Sequence, residues 1–359
     1  MRRLSRRMVV GGLDLGGGAP VSVQAMAKSD PRDPDALARE IEALRAAGAQ
    51  MVRLAVPDQE AARVFGNLKR IFPSVPLVAD VHFNASVALA CIYEGADKLR
   101  INPGNIGGPR RLEEVALEAS RAGVPIRVGV NSGSLERELL ERYGGPVPQA
   151  LAESALRNAR LVEEAGQPDV VVSVKASSVP STVEAYRLVA QGSDYPLHLG
   201  LTGAGPPSRG AAKSCLALGI LLYQGIGDTI RVSLTADACE EVRLGRAILE
   251  ALELRPPGPD LVSCPTCGRC RVDLKGLVAQ VEPLLVEVGI PLKVAVMGCE
   301  VNGPGEAREA DVGLAAGKGR GAIFRKGRIV RTVPEEEFLP ALRREMEALA
   351  LERGVSPQS

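Results

Sequence analysis

Through its first 255 residues the chain alternates short, β-branched apolar runs with Ala/Leu/Glu/Arg-rich segments, and this alternation limits the folds open to it. Eight such runs occur: VSVQAM (21–26), MVRLAV (51–56), PLVADVHF (76–83), KLRI (98–101), IRVGV (126–130), VVVSV (170–174), LHLGL (197–201) and TIRVSL (229–234). Each is apolar enough to be covered on both faces, as parallel strands are. The segments between them are amphipathic. DPDALAREIEALRAAG (33–48) offers Asp33 as an N-cap, Pro34 at the first helical position and Gly48 beyond the last turn. Eight strand–helix units predict an α/β fold, a (β/α)8 TIM-type barrel. A doubly wound open sheet is the alternative, but no G-x-G-x-x-G follows the first strand, and GGLDLGGGAP (11–20) precedes it.

LELRPPGPD (252–260) breaks the alternation with a proline-rich, stiff linker. It places a boundary between a barrel domain, 1–255, and a second domain, 256–359. The second domain reads as small and α+β. It holds a helix (274–288), a strand LKVAVMG (292–298), a loop CEVNGPGEAREADVG (299–313), a strand pair GAIFRKGRIVRTV (321–333) and a C-terminal helix (335–352). With 45% hydrophobic and 24% charged residues the chain has the composition of a soluble globular protein. A net charge of +1 gives no global pull toward nucleic acid or an anionic membrane, so neither is expected as a partner. MRRLSRRMVVGG (1–12) lacks the apolar centre of a secretory signal. No apolar run reaches the ~18 residues of a membrane span, and CLALGILLYQGIG (215–227) reads as a buried helix. The expected location is the cytoplasm, where structural disulfides are not formed.

In a (β/α)8 barrel, chemistry belongs at the C-terminal ends of the strands. Those ends carry Arg53, Asp80, His82, Arg100, Asn102, Arg127, Asn131, Ser173, Lys175, His198, Thr202, Arg231 and Ser233. Five of the eight strands bring a Lys or Arg, more cations than the acids beside them. A buried cation is costly unless paired. The structural alternative is pairing with Asp80 or Asp97. The functional reading is a bound polyanion, a phosphate or diphosphate, which the planar fork of Arg suits. NPGNIGG (102–108) and NSGSLE (131–136) add loops at helix starts, where backbone N–H groups bind anions. His82 and His198, the two histidines, read either as hydrogen-bonded strand residues or as groups that touch the ligand. Lys175 also stands where a barrel aldolase keeps a Schiff-base lysine. That makes a redox-neutral lyase the rival reading.

LVSCPTCGRCRVD (261–273) concentrates three of the seven cysteines, Cys264, Cys267 and Cys270, at every third position, and Cys299 follows the strand of the same domain. Clustered thiols in a reducing compartment point to metal or redox chemistry. Four thiolates fit Zn²⁺ or an iron–sulfur cluster, and the C-x2-C-x2-C run is nearer to cluster spacing than to paired zinc knuckles. Cys91, Cys215 and Cys239 fall in helical segments of the barrel and read as structural, buried thiols.

SCPTCGR (263–269) followed by KVAVMGCEVNGPGEA (293–307) resembles the cluster domain of the 4-hydroxy-3-methylbut-2-enyl diphosphate synthase family, iron–sulfur enzymes of the methylerythritol phosphate route to isoprenoids. VRLAVP, DVHFN, LRINPGNIG, IRVGVNSGSLE, LHLGLTGAG and GIGDTIRVSL are similar to that family's barrel blocks in the same order, so the likeness runs from about residue 9 to 345. The resemblance implies a two-electron reductive ring opening and dehydration of 2-C-methyl-D-erythritol 2,4-cyclodiphosphate. A [4Fe–4S] cluster relays electrons from flavodoxin or ferredoxin. It implies cluster ligands Cys264, Cys267, Cys299 and Glu306, with Cys270 outside the set. The weakly held Glu306 would leave to open an iron to substrate oxygen. It implies diphosphate binding by Arg53, Arg100, Arg127, Lys175, Arg231 and Ser233, with Asn131 and His198 nearby. Asn302 would approach the substrate from the cluster side, and His82 joins it and Glu306 as a catalytic candidate. A homodimer with active sites shared between chains is also implied. The chain departs from the family where T-E-A-G reads Thr202-Gly203-Ala204-Gly205, removing an acidic side chain, and where an apolar residue reads Glu300. The Gly203 departure keeps an inactive, phospholigand-binding relative among the readings.

Overall fold

All eight apolar runs form strands in the computed structural model, which describes residues 2–256, 258–288, 290–299 and 307–354. The chain divides into two compact units, Met1–Arg255 and Pro256–Ser359. In the first unit a hairpin, β1 (Met8–Val10) and β2 (Leu13–Leu15), precedes the barrel. The barrel strands are β3 (Ser22–Met26), β4 (Met51–Ala55), β5 (Leu77–Asp80), β6 (Lys98–Ile101), β7 (Ile126–Asn131), β8 (Val170–Lys175), β9 (His198–Leu199) and β10 (Thr229–Ile230). Neighbours pair in parallel from β3 through to β8. β10 pairs with both β9 and β3, and the bridge Val172–Leu197 closes the ring. An open doubly wound sheet is thereby excluded.

Strand side chains alternate between two environments. Val23, Val52, Leu77, Leu99, Ile126, Val128, Val172 and Leu199 face outward into the core beneath the helices. Between those positions the barrel interior carries Ser22, Gln24, Lys98, Arg127, Ser173, His198 and Thr229, all buried. This departs from the branched apolar layers that usually fill such barrels. Met8 and Leu15 of the hairpin pack with Met51, Val78 and Val171 in a separate apolar cluster at the N-terminal end of the strands. The hairpin therefore caps one end and leaves the C-terminal end to the site.

The helices follow their caps. Asp33 Oδ1 accepts the Ala36 N–H at 2.9 Å and starts the helix Pro34–Ala46. The helix Pro207–Tyr223 corrects the expectation of a buried segment. Ser214, Ala217, Leu218, Leu221 and Leu222 are buried, whereas Cys215, Leu216, Ile220 and Tyr223 are exposed. It belongs to the outer ring, where only one face meets the barrel, so Cys215 is not the buried thiol expected. Cys91 is buried and Cys239 half-buried. Among the described residues no helix is long and apolar enough to cross a membrane.

The second unit is a five-stranded sheet in the order β11 (Asp260–Ser263), β12 (Lys293–Met297), β13 (Val312–Ala316), β14 (Arg320–Arg325) and β15 (Arg328–Pro334). The first three strands run parallel and the last pairings are antiparallel. Helices Leu274–Val288 and Phe338–Glu352 build its main core against Val294, Val296, Leu314 and Ile323. Asp260–Ser263 forms a strand where the sequence pattern carries none, and Val312 and Gly313 open β13 rather than ending the expected loop. VGLAA lacks the β-branched signature because space is short there: a Cβ on Gly313 would stand 2.3 Å from Phe324 Cζ.

Candidate functional site

The cation-bearing strands converge on a cavity of about 210 Å³ at the C-terminal end of the barrel. Arg53, Asp80, His82, Arg100, Arg127, Asn131, Ser173, Lys175, Thr202, Gly203, Arg231 and Ser233 line it, together with Leu201. His198 does not. It lies one inward position below Gly200 on the same strand path and is fully buried, with neither ring nitrogen hydrogen-bonded among the described residues. Asn102 is buried and caps its own turn, accepting the Gly104 N–H at 3.2 Å.

Asp80 is the central anion. Its carboxylate lies 3.6 Å from Arg53 Nε, 3.3 Å from Arg100 Nη1 and 3.6 Å from His82 Nε2. Burial pushes the Asp80 carboxyl up, but Arg53, the His82 hydrogen bond and Arg100 outweigh it and hold the group well below the usual carboxylate range. Arg100 Nη1 also meets both ring nitrogens of His82, Nε2 and, at 3.0 Å, Nδ1; a guanidinium only donates, so whichever nitrogen it bonds accepts. Asp97 does not serve the barrel cations, because its carboxylate takes Lys69 at 2.7 Å.

A second carboxylate, absent from the sequence reading, comes from the helix Ala238–Ala251. Glu241 is buried, meets Arg231 Nη2 at 3.5 Å and Lys28 Nζ at 2.9 Å, and accepts the Leu234 N–H at 2.8 Å. Its position in EE at a helix start carries no signal in the sequence beyond favourable helix-terminus charge.

Two carboxylates face six barrel cations, since Lys98, also missed from the sequence, is fully buried with Met51 Sδ at 3.2 Å as its contact. Arg127 is 1% exposed, and its Nε and Nη1 have no partner among the described residues. Burial first, then Arg53 and Arg100, drives Arg127 well below its ordinary value. Burial, then Arg127, Arg53 and Arg231, does the same to Lys175. Burial lowers Arg53 to about 10 against the pull of Asp80. His198 is lowered by burial and then by Arg127 and Lys175, which keeps it neutral. An uncompensated buried charge costs several kcal/mol. The arrangement therefore has the chemistry to suit an anion with more than one charge.

In the second unit, Cys264 Sγ accepts the Gly298 N–H at 3.3 Å. Cys270 Sγ packs against the same glycine, where a Cβ would stand 2.5 Å away. Cys299 is the next residue and is buried, so Cys264 and Cys270 both lie against the residue that precedes it in the chain. Cys267 is exposed, and the Arg269 backbone N–H lowers its thiol. Thr266 at φ +53° turns the chain between Cys264 and Cys267. Cys270 Sγ lies 3.3 Å from Val272 O as its hydrogen-bond donor. Among the described residues no three His, Cys, Asp or Glu groups are gathered closely enough to hold a metal ion. Glu306 and Asn302 lie outside the described residues.

The GcpE TIM-barrel domain matches residues 5–246 and the GcpE protein C-terminal domain matches residues 260–348. This chain belongs to the GcpE family. Among its curated relatives is the 4-hydroxy-3-methylbut-2-en-1-yl diphosphate synthase (flavodoxin) of Geobacter sulfurreducens, 53% identical over 98% of this chain and 100% of the relative. A protein of the same name from Caldanaerobacter subterraneus is 49% identical over 98% of this chain and 99% of the relative. In fold alone the GcpE barrel is similar to type I 3-dehydroquinate dehydratase from Clostridium difficile, with TM-score 0.51 and 13% identity over 69% of this chain and 98% of that one. Gly203 of this GcpE chain adopts φ +60°, and a Cβ there would come no nearer than 3.9 Å to Ser177. A side chain at 203 therefore has room but meets backbone strain of about 1–2 kcal/mol.

Proposed function

We propose that this GcpE chain is a 4-hydroxy-3-methylbut-2-enyl diphosphate synthase that binds its cyclic diphosphate in the barrel cavity. The reaction takes 2-C-methyl-D-erythritol 2,4-cyclodiphosphate, two electrons and two protons to 4-hydroxy-3-methylbut-2-enyl diphosphate and water. The observation that carries the site assignment is the excess of buried cations over carboxylates at the mouth of the barrel. Arg53, Arg100, Arg127, Lys175 and Arg231 hold the diphosphate, with Ser233 and Asn131 as neutral partners. Asp80 keeps Arg53 and Arg100 oriented and is itself too strongly ionised to donate a proton. His82, 45% exposed on its side chain and beside Asp80, is the titratable group best placed to exchange protons with solvent.

The soft donors Cys264, Cys267 and Cys299 fit an iron–sulfur cluster, with Glu306 as the oxygen ligand and Cys270 as a neighbour. Bound there, a [4Fe–4S] cluster would supply single electrons, drawn from flavodoxin or ferredoxin, together with Lewis-acid chemistry toward the substrate. Asn302, in the same VNGPGE stretch as Glu306, is the candidate to approach the substrate from the cluster side. The enzyme works in the cytoplasm as a homodimer whose chains share active sites; sedimentation at micromolar protein checks the dimer.

The deciding experiment is anaerobic purification with iron, sulfide and zinc analysis, followed by dithionite-driven turnover of the cyclodiphosphate. A brown protein with stoichiometric iron and sulfide that forms the linear diphosphate is expected. A colourless zinc protein that forms a borohydride-trapped adduct at Lys175 overturns the reading in favour of a lyase.

A further inference from the structure

The inner wall of the barrel carries glycine at two places where the backbone does not require it. Gly129 on β7 and Gly200 just beyond β9 both lack a positive φ. Glycine weakens a strand, so its presence there marks a close approach. A Cβ on Gly129 would stand 3.0 Å from Arg100 Nε, 3.2 Å from Arg100 Nη2 and 3.3 Å from Ser173 Oγ. On Gly200 it would stand 2.8 Å from Arg231 O and 2.9 Å from Lys175 Nζ. The head groups of two cavity cations thus lie in hollows that the missing side chains leave in the wall.

We propose that Gly129 and Gly200 are positioning residues that set the depth of the anion site. By letting the Arg100 guanidinium and the Lys175 ammonium retract into the wall, they leave room for two linked phosphoryl groups rather than one. This inference rests on the diphosphate reading given above. An added methyl drives the head groups toward the axis of a cavity of only about 210 Å³. The position next to each cation is then lost, while a single phosphate still reaches the remaining arginines.

The test is calorimetric titration of the full-length, anaerobically prepared protein with inorganic pyrophosphate, and displacement of pyrophosphate by inorganic phosphate. Gly129→Ala and Gly200→Ala are compared with Gly219→Ala, a helical glycine whose Cβ would meet nothing within 4 Å. Each inner-wall variant is expected to lose about tenfold or more in pyrophosphate affinity but under about threefold for phosphate, with Gly219→Ala unchanged. In an Arg100→Ala background Gly129→Ala should cost nothing more, and likewise Gly200→Ala in Lys175→Ala. Unchanged pyrophosphate affinity in a folded variant overturns the inference. So does an equal loss for both anions, or a loss that persists without the cation. A wild-type protein that binds no pyrophosphate overturns the underlying diphosphate reading instead. The three nearest contacts at Gly129 are with side chains, so Gly129→Ala carries the test if the backbone contact at Gly200 prevents folding.

Discussion

Asp80 separates the two ways in which a buried cation is tolerated. Arg53 and Arg100 share it, whereas Arg127 and Lys175 have no carboxylate within ion-pair distance among the described residues. Asp80→Asn is expected to cost about 3–5 kcal/mol in chemical denaturation, because it leaves two guanidinium groups buried without an anion. The folded Asp80 carboxyl is held below its unfolded value of 3.8, so its stabilisation is complete above about pH 4 and is lost as pH falls further. Acid denaturation of wild type and Asp80→Asn should therefore converge at low pH. Lys175 gives the same slope from the opposite cause, because burial disfavours its charge. Its folded value is lowered, so the unfolded chain binds more protons and the unliganded protein gains stability as pH rises toward the unfolded value of 10.5. A diphosphate restores the charge. Pyrophosphate binding at about pH 8 should take up more protons in wild type than in Lys175→Met, read from titrations in buffers of different ionisation enthalpy. The arginines and Lys175 were legible in the sequence because charge interrupts apolar runs. Glu241 and Lys98 were not, since an acid at a helix start and a lysine opening a strand look ordinary until the ring closes.

At the scale of elements, hydrophobic period located the barrel strands but left faces of helices undecided. The segment 215–227 is apolar nearly all round, yet only one face of Pro207–Tyr223 meets the barrel. A charged thiol reagent should therefore modify Cys215 in the native protein and spare Cys91. Cys91 is buried, with its thiol pushed up by burial to about 12. Mass mapping after brief labelling checks both sites. If Cys215 is also spared, that face is covered in solution. The hairpin β1–β2 and the strands β11 and β13 escaped the sequence reading for a related reason. They are short or built from small residues; β11 and β13 take their identity from pairing with β12, and the hairpin takes its own from packing on Met51, Val78 and Val171.

For the whole molecule, the two units differ in the chemistry they carry: charged hydrogen-bond donors line the barrel cavity, and the clustered thiols lie in the second unit. Cys270→Ser is expected to keep the visible absorbance of the anaerobic protein, whereas Cys264→Ser bleaches it and still binds pyrophosphate through the barrel. Bleaching by Cys270→Ser instead would make four thiolates the ligand set. By itself the sequence determined the α/β alternation, the family, the cysteine inventory and most of the cations, because each is written in residue type and local spacing. Only the tertiary structure decided which charges share a cavity, that His198 lies a layer beneath it, that Asp97 serves Lys69, and that two glycines make room for two cations. The physical reason is the period of the strand. Alternate residues enter the barrel, and their depth and neighbours are set by pairing across the ring, which no stretch of sequence contains alone.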